Sequence, residues 1–237
     1  MIQTVPETGS TNTDLAVRLS AGEAVAEGYW LVADRQTAGK GRQGRTWFDG
    51  FGNFMGSTVV RIGPGDPPAA SLALLSGLAL QEVVAPLVLP HATPLLKWPN
   101  DLMIGGAKLA GILLERVGDS VIVGIGVNLS QAPKVEGRET ISLSAFGPAP
   151  DRDHFAESLS RQFTQELERW RSFGLDLLVR RWQAAAHPVR TMLAVGEPGE
   201  VPLKGSFAGL TPDGALQLRL GDGTTRVIHA GEVRLAE

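Results

Sequence analysis

Hydrophobic and polar residues follow two different periodicities along the first 187 residues. Apolar residues at helical spacing predict helices from the cap residues at 10–12 to Gly22 and over residues 69–88, 155–170 and 175–186. Apolar and β-branched runs predict strands over residues 29–33, 53–61, 102–104, 108–115 and 121–128. We expect the helix after residue 10 to be the first element of an α+β domain.

The pattern changes at His187-Pro188. Beyond this point the helical spacing disappears, and short β-like runs are separated by glycines. We therefore predict two domains, residues 1–187 and residues 188–237, the second a small β-barrel. Because about fifty residues cannot bury a large hydrophobic core alone, we expect this barrel to pack against the larger domain.

Composition and charge exclude several classes of protein. The chain has 237 residues with no cysteine, which excludes disulfides, thiolate metal sites and cysteine nucleophiles. Its 22 basic and 25 acidic residues give a net charge of −3, so we expect no nucleic-acid or membrane partner. The N-terminus lacks the basic and apolar regions of a secretory signal, and we expect a cytoplasmic protein.

A glycine-rich loop at residues 34–52 carries the first candidate chemistry. From Arg35 to Arg45 it contains four cations and no acid, and Trp47 and Phe48 follow. Cations and the backbone amides of glycines can together bind a phosphate or a carboxylate. The aromatic pair could pack against a planar ring of a ligand. A solvated basic loop is the equal alternative for such a run. A dinucleotide fingerprint is excluded because no helix follows the glycines.

A second candidate is the polar turn at residues 97–101, KWPND, with Lys108 on the strand that follows. Lys108 lies among apolar residues, so its ammonium must reach solvent or meet an anion. Taken alone, the turn is better explained as a structural turn around a buried Trp98. The four histidines are scattered without metal-ligand spacing.

Five motifs together resemble the biotin protein ligases. They are GSTN at 9–12, DRQTAGKGRQGRTW at 34–47, KWPNDL at 97–102, KLAGILLE at 108–115 and GIGVNL at 124–129. Residues 229–233 also look like the end of that family's C-terminal β-barrel. The resemblance implies a mixed β-sheet flanked by helices with a small C-terminal β-barrel. It points to the short class without an N-terminal DNA-binding domain.

The resemblance also implies an activity in two steps. Biotin and ATP give biotinyl-5′-AMP and pyrophosphate, and the biotinyl group then passes to a lysine of a biotin carboxyl carrier domain. The implied small molecules are ATP, biotin and Mg²⁺, and the implied partner is the carrier domain of a biotin-dependent carboxylase. The resemblance leaves a homodimer open.

Site residues follow from the matched motifs. The implied catalytic residues are Lys108, Arg42 and Asp101, and Asp101 is the candidate metal ligand or proton acceptor. The implied biotin-binding residues are Ser10, Thr11, Asn12, Gln36, Gly39, Lys40, Gly41, Arg42, Lys108 and Gly111. The implied ATP-binding residues are Arg45, Trp47, Lys97, Asn100 and Asn128. Lys40 departs from the usual arginine and lacks its bidentate fork.

Three other functions compete with this prediction. A lipoate protein ligase would use the same two-step chemistry with a different acyl group. A biotin-responsive repressor would need a DNA-binding segment, and the chain shows no helix-turn-helix pattern at its start. A ligand-binding protein without catalysis would release no pyrophosphate.

Overall fold

A seven-stranded mixed sheet forms the centre of the larger domain. The computed structural model describes residues 1–197 and 201–236. The strands are β1 (Ile2–Thr8), β2 (Trp30–Gln36), β3 (Phe54–Arg61), β4 (Pro94–Lys97), β5 (Asp101–Ile104), β6 (Ala107–Val117) and β7 (Ser120–Val127). Their order is β1-β2-β3-β7-β6-β5-β4. Only the β1–β2 pair among these neighbours is parallel. The predicted mixed sheet with flanking helices is confirmed.

Strand β1 was not predicted. We expected helix α1 (Thr11–Ser20) to come first, but β1 precedes it and pairs with β2 at the edge of the sheet. The residues of β1 are mostly exposed, so they show no clear apolar alternation. Pro6 interrupts the run, and an edge strand tolerates a proline because one side of its backbone has no partner.

Two further helices build the core on one face of the sheet. They are α2 (Leu72–Val84) and α3 (Arg152–Ala185). Helix α3 changes direction at Gly174, whose φ is +68°, so it consists of the two helical segments that the sequence predicted. An aromatic cluster joins α3 to the sheet, with the rings of Trp30 and Phe163 5.5 Å apart and nearly perpendicular. Helix α2 is apolar and long enough for a membrane span with its flanking turns, but most of its residues lie in this core.

The C-terminal region forms a second, antiparallel sheet. Its strands are β8 (Met192–Gly196), β9 (Leu203–Leu210), β10 (Leu216–Arg219), β11 (Thr225–Ile228) and β12 (Glu232–Leu235), in the order β11-β10-β9-β8-β12. Leu216 and Phe207 belong to the same hydrophobic cluster as Trp182 of α3. Trp98, in the turn after β4, donates from Nε1 to the Gly214 carbonyl at 3.1 Å. The second sheet therefore shares its core with the first, and its closure into a barrel stays a prediction.

The two segments of α3 are joined by a buried carboxylate. Glu166 is 1% exposed, accepts hydrogen bonds from both terminal nitrogens of Arg181, and pairs with Arg169 at 2.5 Å. Removing one member of a buried ion pair costs about 3–5 kcal/mol. Because both arginines reach solvent, we expect Glu166→Ala to lower the free energy of unfolding by about 2–3 kcal/mol.

Urea denaturation measures this loss. The matched control is Glu168→Ala on the exposed side of the same helix, where we expect a change within about 0.5 kcal/mol. Equal losses in the two variants would contradict the role given to Glu166.

Candidate functional site

One cavity of about 460 Å³ opens between the sheet, the glycine-rich loop and the segment at residues 131–140. Fifteen of the sixteen predicted site residues line it, namely Ser10, Thr11, Asn12, Gln36, Lys40, Gly41, Arg42, Arg45, Trp47, Lys97, Asn100, Asp101, Lys108, Gly111 and Asn128. The remaining one, Gly39, accepts a hydrogen bond from the Trp47 amide at 2.8 Å. Residues from five separate motifs thus face one another in space.

One end of the cavity is uncharged and rich in hydrogen-bonding groups. The N-terminus of α1 places Thr11 against Gln36 of β2, and the Thr11 amide donates to Gln36 Oε1 at 2.7 Å. Asn12 and Ser57 complete this end, and both are buried. Amides and hydroxyls that are held in this way suit a neutral polar head group.

The other end contains three buried charges. Asp101 at the start of β5 pairs with Lys108 of β6 at 2.5 Å and with Lys97 of β4 at 2.9 Å. Burial alone would raise the pKa of Asp101, but the two lysines together hold it well below its usual range. Burial lowers the pKa of Lys108, and Asp101 offsets part of this effect. The cluster keeps a net positive charge, which suits an anionic ligand.

This arrangement bears on the roles expected for the lysine and the aspartate. The anion that Lys108 meets is the carboxylate of Asp101. Asp101 does not suit a metal ligand, because each of its oxygens is already paired with an ammonium. Its lowered pKa also makes it a weak proton acceptor. Across residues 1–197 and 201–236, no group of three His, Asp or Glu residues could hold a metal ion.

The glycine-rich loop covers the cavity in an ordered hairpin-like turn. Lys40 bridges to Thr46, and the Gly41 amide donates to the Arg45 carbonyl at 2.6 Å. The Trp47 indole lies against Gly126 and Gly111, where a Cβ atom would overlap it or crowd it. Lys108 Nζ is 5.7 Å from the centre of the same ring. The glycines of β6 and β7 are therefore required by the close approach of this indole.

Three consecutive residues, Gly231 and the first two residues of β12, complete the site. The motif at 229–233 pointed to the C-terminal barrel and assigned these residues no role in the site. Glu232 binds Arg45 at 2.7 Å and Arg138 at 2.8 Å, so it joins the glycine-rich loop to the segment at 131–140. Burial would raise the pKa of Glu232, but the arginines around it hold that pKa below its usual range. The backbone carbonyls of the two neighbours of Glu232 also accept hydrogen bonds. Val233 accepts from Lys97 Nζ at 2.8 Å, and Gly231 accepts from Arg42 Nη2 at 3.5 Å.

The segment at residues 131–140 lies over the cavity, and four of its residues line it. Asn53, 1% exposed, holds its start by accepting from the Ser130 and Gln131 amides, each at 3.0 Å. Near its end, the Lys108 amide donates to the Glu139 carbonyl at 2.9 Å. Pro133, Val135, Arg138 and Thr140 of this segment line the cavity, whereas Lys134, Glu136 and Glu139 are exposed and do not line it.

Asn128, at the end of β7, carries an acceptor that is free for a ligand. Its Nδ2 donates to the Ile141 carbonyl at 3.1 Å, which fixes the orientation of the amide. Its Oδ1 is buried and has no partner within the described part of the chain. A buried acceptor without a partner is costly unless a ligand donor satisfies it.

A cavity that joins neutral hydrogen-bonding groups to a cluster of cations suits a carboxylate-activating ligase. The chain belongs to the biotin/lipoate A/B protein ligase family, whose model matches residues 6–131. Residues 195–235 match the biotin protein ligase C-terminal domain.

Curated relatives extend over nearly the whole chain. The biotin–[acetyl-CoA-carboxylase] ligase of Mycobacterium tuberculosis is 37% identical over 98% of this chain and 88% of its own length. The bifunctional ligase/repressor BirA of Escherichia coli is 32% identical over 99% of this chain and 74% of its own length. Among solved structures, the biotin protein ligase from Aquifex aeolicus in complex with biotin and ATP has a TM-score of 0.86 over 99% of both chains. At 24% identity, this likeness shows the fold.

Proposed function

We propose that this chain is an ATP-dependent ligase that biotinylates a carrier protein. In the first step, a carboxylate oxygen of biotin attacks the α-phosphorus of ATP, and pyrophosphate leaves with the electrons of the broken P–O bond. In the second step, the amine of a carrier lysine attacks the acyl carbon of biotinyl-AMP, and AMP leaves as an amide forms. The acceptor amine loses one proton in this step.

The observation that carries this proposal is the position of the cation cluster. Lys97 and Lys108 share Asp101 at one end of a cavity whose other end is neutral, and Arg42 donates to the neighbouring Asn100 at 3.2 Å. Biotin has the same division, with a neutral ureido ring at one end and a carboxylate at the other. A carboxylate and a triphosphate repel each other, so cations at their meeting point lower the barrier to the first step. The divalent ion of this chemistry arrives with ATP as part of the substrate.

Individual roles follow from the contacts. We assign Ser10, Thr11, Asn12 and Gln36 to the biotin ring. Arg42 and Lys108 bind the carboxylate and phosphate oxygens between the two substrates. Trp47 packs against the nucleotide, and the free Oδ1 of Asn128 accepts from the amino group of adenine.

A direct test uses a biotin carboxyl carrier domain, biotin and MgATP. We expect mass spectrometry to find one added biotinyl group, and none on a carrier whose acceptor lysine is replaced by arginine. Biotin-dependent exchange of labelled pyrophosphate into ATP tests the first step alone. Preferential use of lipoate in a competition between labelled acids would favour the lipoate ligase, and absence of exchange would favour a simple binding protein.

Several finer features stay predictions. They are the carrier of a carboxylase as partner, a homodimer, a cytoplasmic location, the division of the chain at residue 187 and closure of the second sheet into a barrel. Absence of nucleic-acid binding is a further one, and a gel shift at low salt tests it, since a specific complex would support a repressor.

Glu232 provides a prediction about ATP. Because its carboxylate holds Arg45 and Arg138 over the cavity, Glu232→Gln removes the charge that positions both loops. We expect the KM for ATP to rise roughly tenfold while the KM for biotin changes less than about twofold, since the biotin ring lies at the other end. The matched control is Glu197→Gln, because Glu197 is exposed and contacts Gln43 of the same loop. A rise in both KM values would instead indicate general disruption of the cavity.

A further inference from the structure

Five side chains at the neutral end of the cavity form one continuous hydrogen-bond chain. Starting at the cavity, Gln36 Oε1 accepts from the Thr11 amide at 2.7 Å and lies 3.1 Å from Thr11 Oγ1. Thr11 Oγ1 contacts Ser57 Oγ at 2.6 Å. Ser57 contacts Asn12 Oδ1 at 2.6 Å, and Asn12 Nδ2 contacts Glu115 Oε2 at 2.6 Å. The motif that contains Glu115 was noted in the sequence, but no role was assigned to this glutamate.

The carboxylate at the end of the chain fixes the direction of every hydrogen bond in it. An ionised carboxylate only accepts, so Asn12 must donate from Nδ2 and turn its Oδ1 towards Ser57. Ser57 has one hydroxyl proton, and it goes to that Oδ1. Thr11 must then donate its own proton to Ser57 Oγ at 2.6 Å. Gln36 Oε1 is a more distant acceptor for that proton at 3.1 Å, and it already accepts from the Thr11 amide. Both hydroxyl protons therefore point towards Glu115.

This direction determines what the site offers a ligand. The hydroxyl oxygens of Thr11 and Ser57 keep only lone pairs, so they can only accept from a ligand. Gln36 Oε1 is occupied by the Thr11 amide, so Gln36 offers its Nε2 as a donor. A ureido ring has two N–H donors and one carbonyl acceptor, which is the complementary set.

Packing keeps the middle of the chain in place. The Asn12 amide lies directly on Gly124 of β7, where a Cβ atom would overlap it. Glu115 lies on β6, which pairs with β7 through Leu113 and Gly124. Two neighbouring strands therefore hold Asn12. Strand β7 packs against it through Gly124, and β6 binds it through the carboxylate of Glu115.

We propose that Glu115 is a positioning residue that orients this chain and so tunes the cavity for the ureido ring of biotin. This inference rests on the proposed function and adds a residue that acts through Asn12, Ser57 and Thr11. In Glu115→Gln the end group can donate as well as accept, so the direction of the chain is no longer fixed, although the side chain keeps its size.

Pyrophosphate exchange and calorimetry on the whole protein test the proposal. For Glu115→Gln we expect the KM and Kd for biotin to rise roughly tenfold, with kcat and the KM for ATP within about twofold of wild type. Desthiobiotin keeps the ureido ring, so its affinity should fall by the same factor. The control is Glu168→Gln, an identical change of charge at an exposed position on α3, which should leave all values unchanged.

A double-mutant cycle tests whether Glu115 and Ser57 act through the same hydrogen-bond chain or independently of each other. Ser57→Ala breaks the chain upstream of Asn12, so adding Glu115→Gln should raise the Kd for biotin little further. Multiplication of the two separate effects would overturn the proposal, as would an unchanged Kd in Glu115→Gln or an equal rise in the KM for ATP. Absence of biotin-dependent exchange in the wild-type protein would instead refute the proposed function itself.

Discussion

Replacing Lys108 with alanine is expected to slow biotin-dependent pyrophosphate exchange by roughly 10²–10³-fold, the range found when one electrostatic contact to the reacting group is removed. In the proposed reaction both reactants approach the buried Lys108, whose ammonium lies beside Asp101 and the Trp47 ring. Because Asp101 keeps Lys97 as a partner, the variant should fold. Exchange kinetics measure the effect.

The matched control for this variant is Lys204→Ala, an exposed lysine on β9. We expect wild-type exchange from this control. Exchange at the wild-type rate in Lys108→Ala would remove Lys108 from the chemistry, and a loss of the cooperative unfolding transition would show that its role is structural instead.

The second prediction concerns Asp101 and has a pH dependence. Burial lowers the pKa of Lys108, and Asp101 opposes this effect, so Asp101→Asn should lower that pKa further. If Lys108 acts as an ammonium, the alkaline limb of the kcat/KM profile for the first step should move to lower pH. We expect a loss of roughly 10- to 100-fold at alkaline pH, shrinking as the pH falls.

The two half-reactions decide between this role and the earlier alternatives. A defect confined to transfer from preformed biotinyl-AMP would identify Asp101 as a proton acceptor for the carrier lysine. A defect in the first step without a shift of the alkaline limb would contradict the pKa argument. The control is Asp176→Asn at an exposed position on α3, for which we expect the wild-type profile.

Asp101 also affects how the free energy of unfolding of the wild-type protein depends on pH. Its effect is opposite to that of an unpaired buried acid, whose pKa is raised by burial. The folded pKa of Asp101 lies below its unfolded value, which is about 3.9. Its contribution to stability is therefore present at neutral pH and is lost only as the pH falls through the folded pKa. Asp101 gives no reason for the protein to lose stability in mildly acidic buffer.

Local sequence patterns were sufficient for most of the fold. The helix at residues 69–88 and the strands β3, β6 and β7 have strong apolar patterns, so they were predicted within a few residues. Strand β1 was missed because an exposed edge strand needs no apolar face. The glycine-rich loop was identified correctly, but no partner within the protein was predicted for its cations, and Arg45 pairs with Glu232 of the second sheet.

The same distinction applies to the site. The site residues that lie in contiguous motifs could be predicted, because a run of several matching residues is far more specific than any one of them. All but one of these residues line the cavity. Arg138 and Ser57 were missed because each is a single polar residue in an unremarkable context. Glu232 lies in the motif at 229–233, but that motif pointed to the C-terminal barrel and not to the cavity. Arg45 and Glu232 are separated by 187 residues, and no local pattern reports a contact over that distance.

The contacts of Gly231, Glu232 and Val233 also bear on how the protein responds to heat. These residues contact four cations of the cavity, yet Glu232 and Val233 belong to β12 of the smaller sheet and Gly231 directly precedes it. Sheets of this size open locally at lower cost than a large core does. Once β12 separates, both covering segments lose their attachment while the seven-stranded sheet is still intact. Thermal inactivation should therefore precede melting of the larger domain, and nucleotide bound in the cavity should delay it.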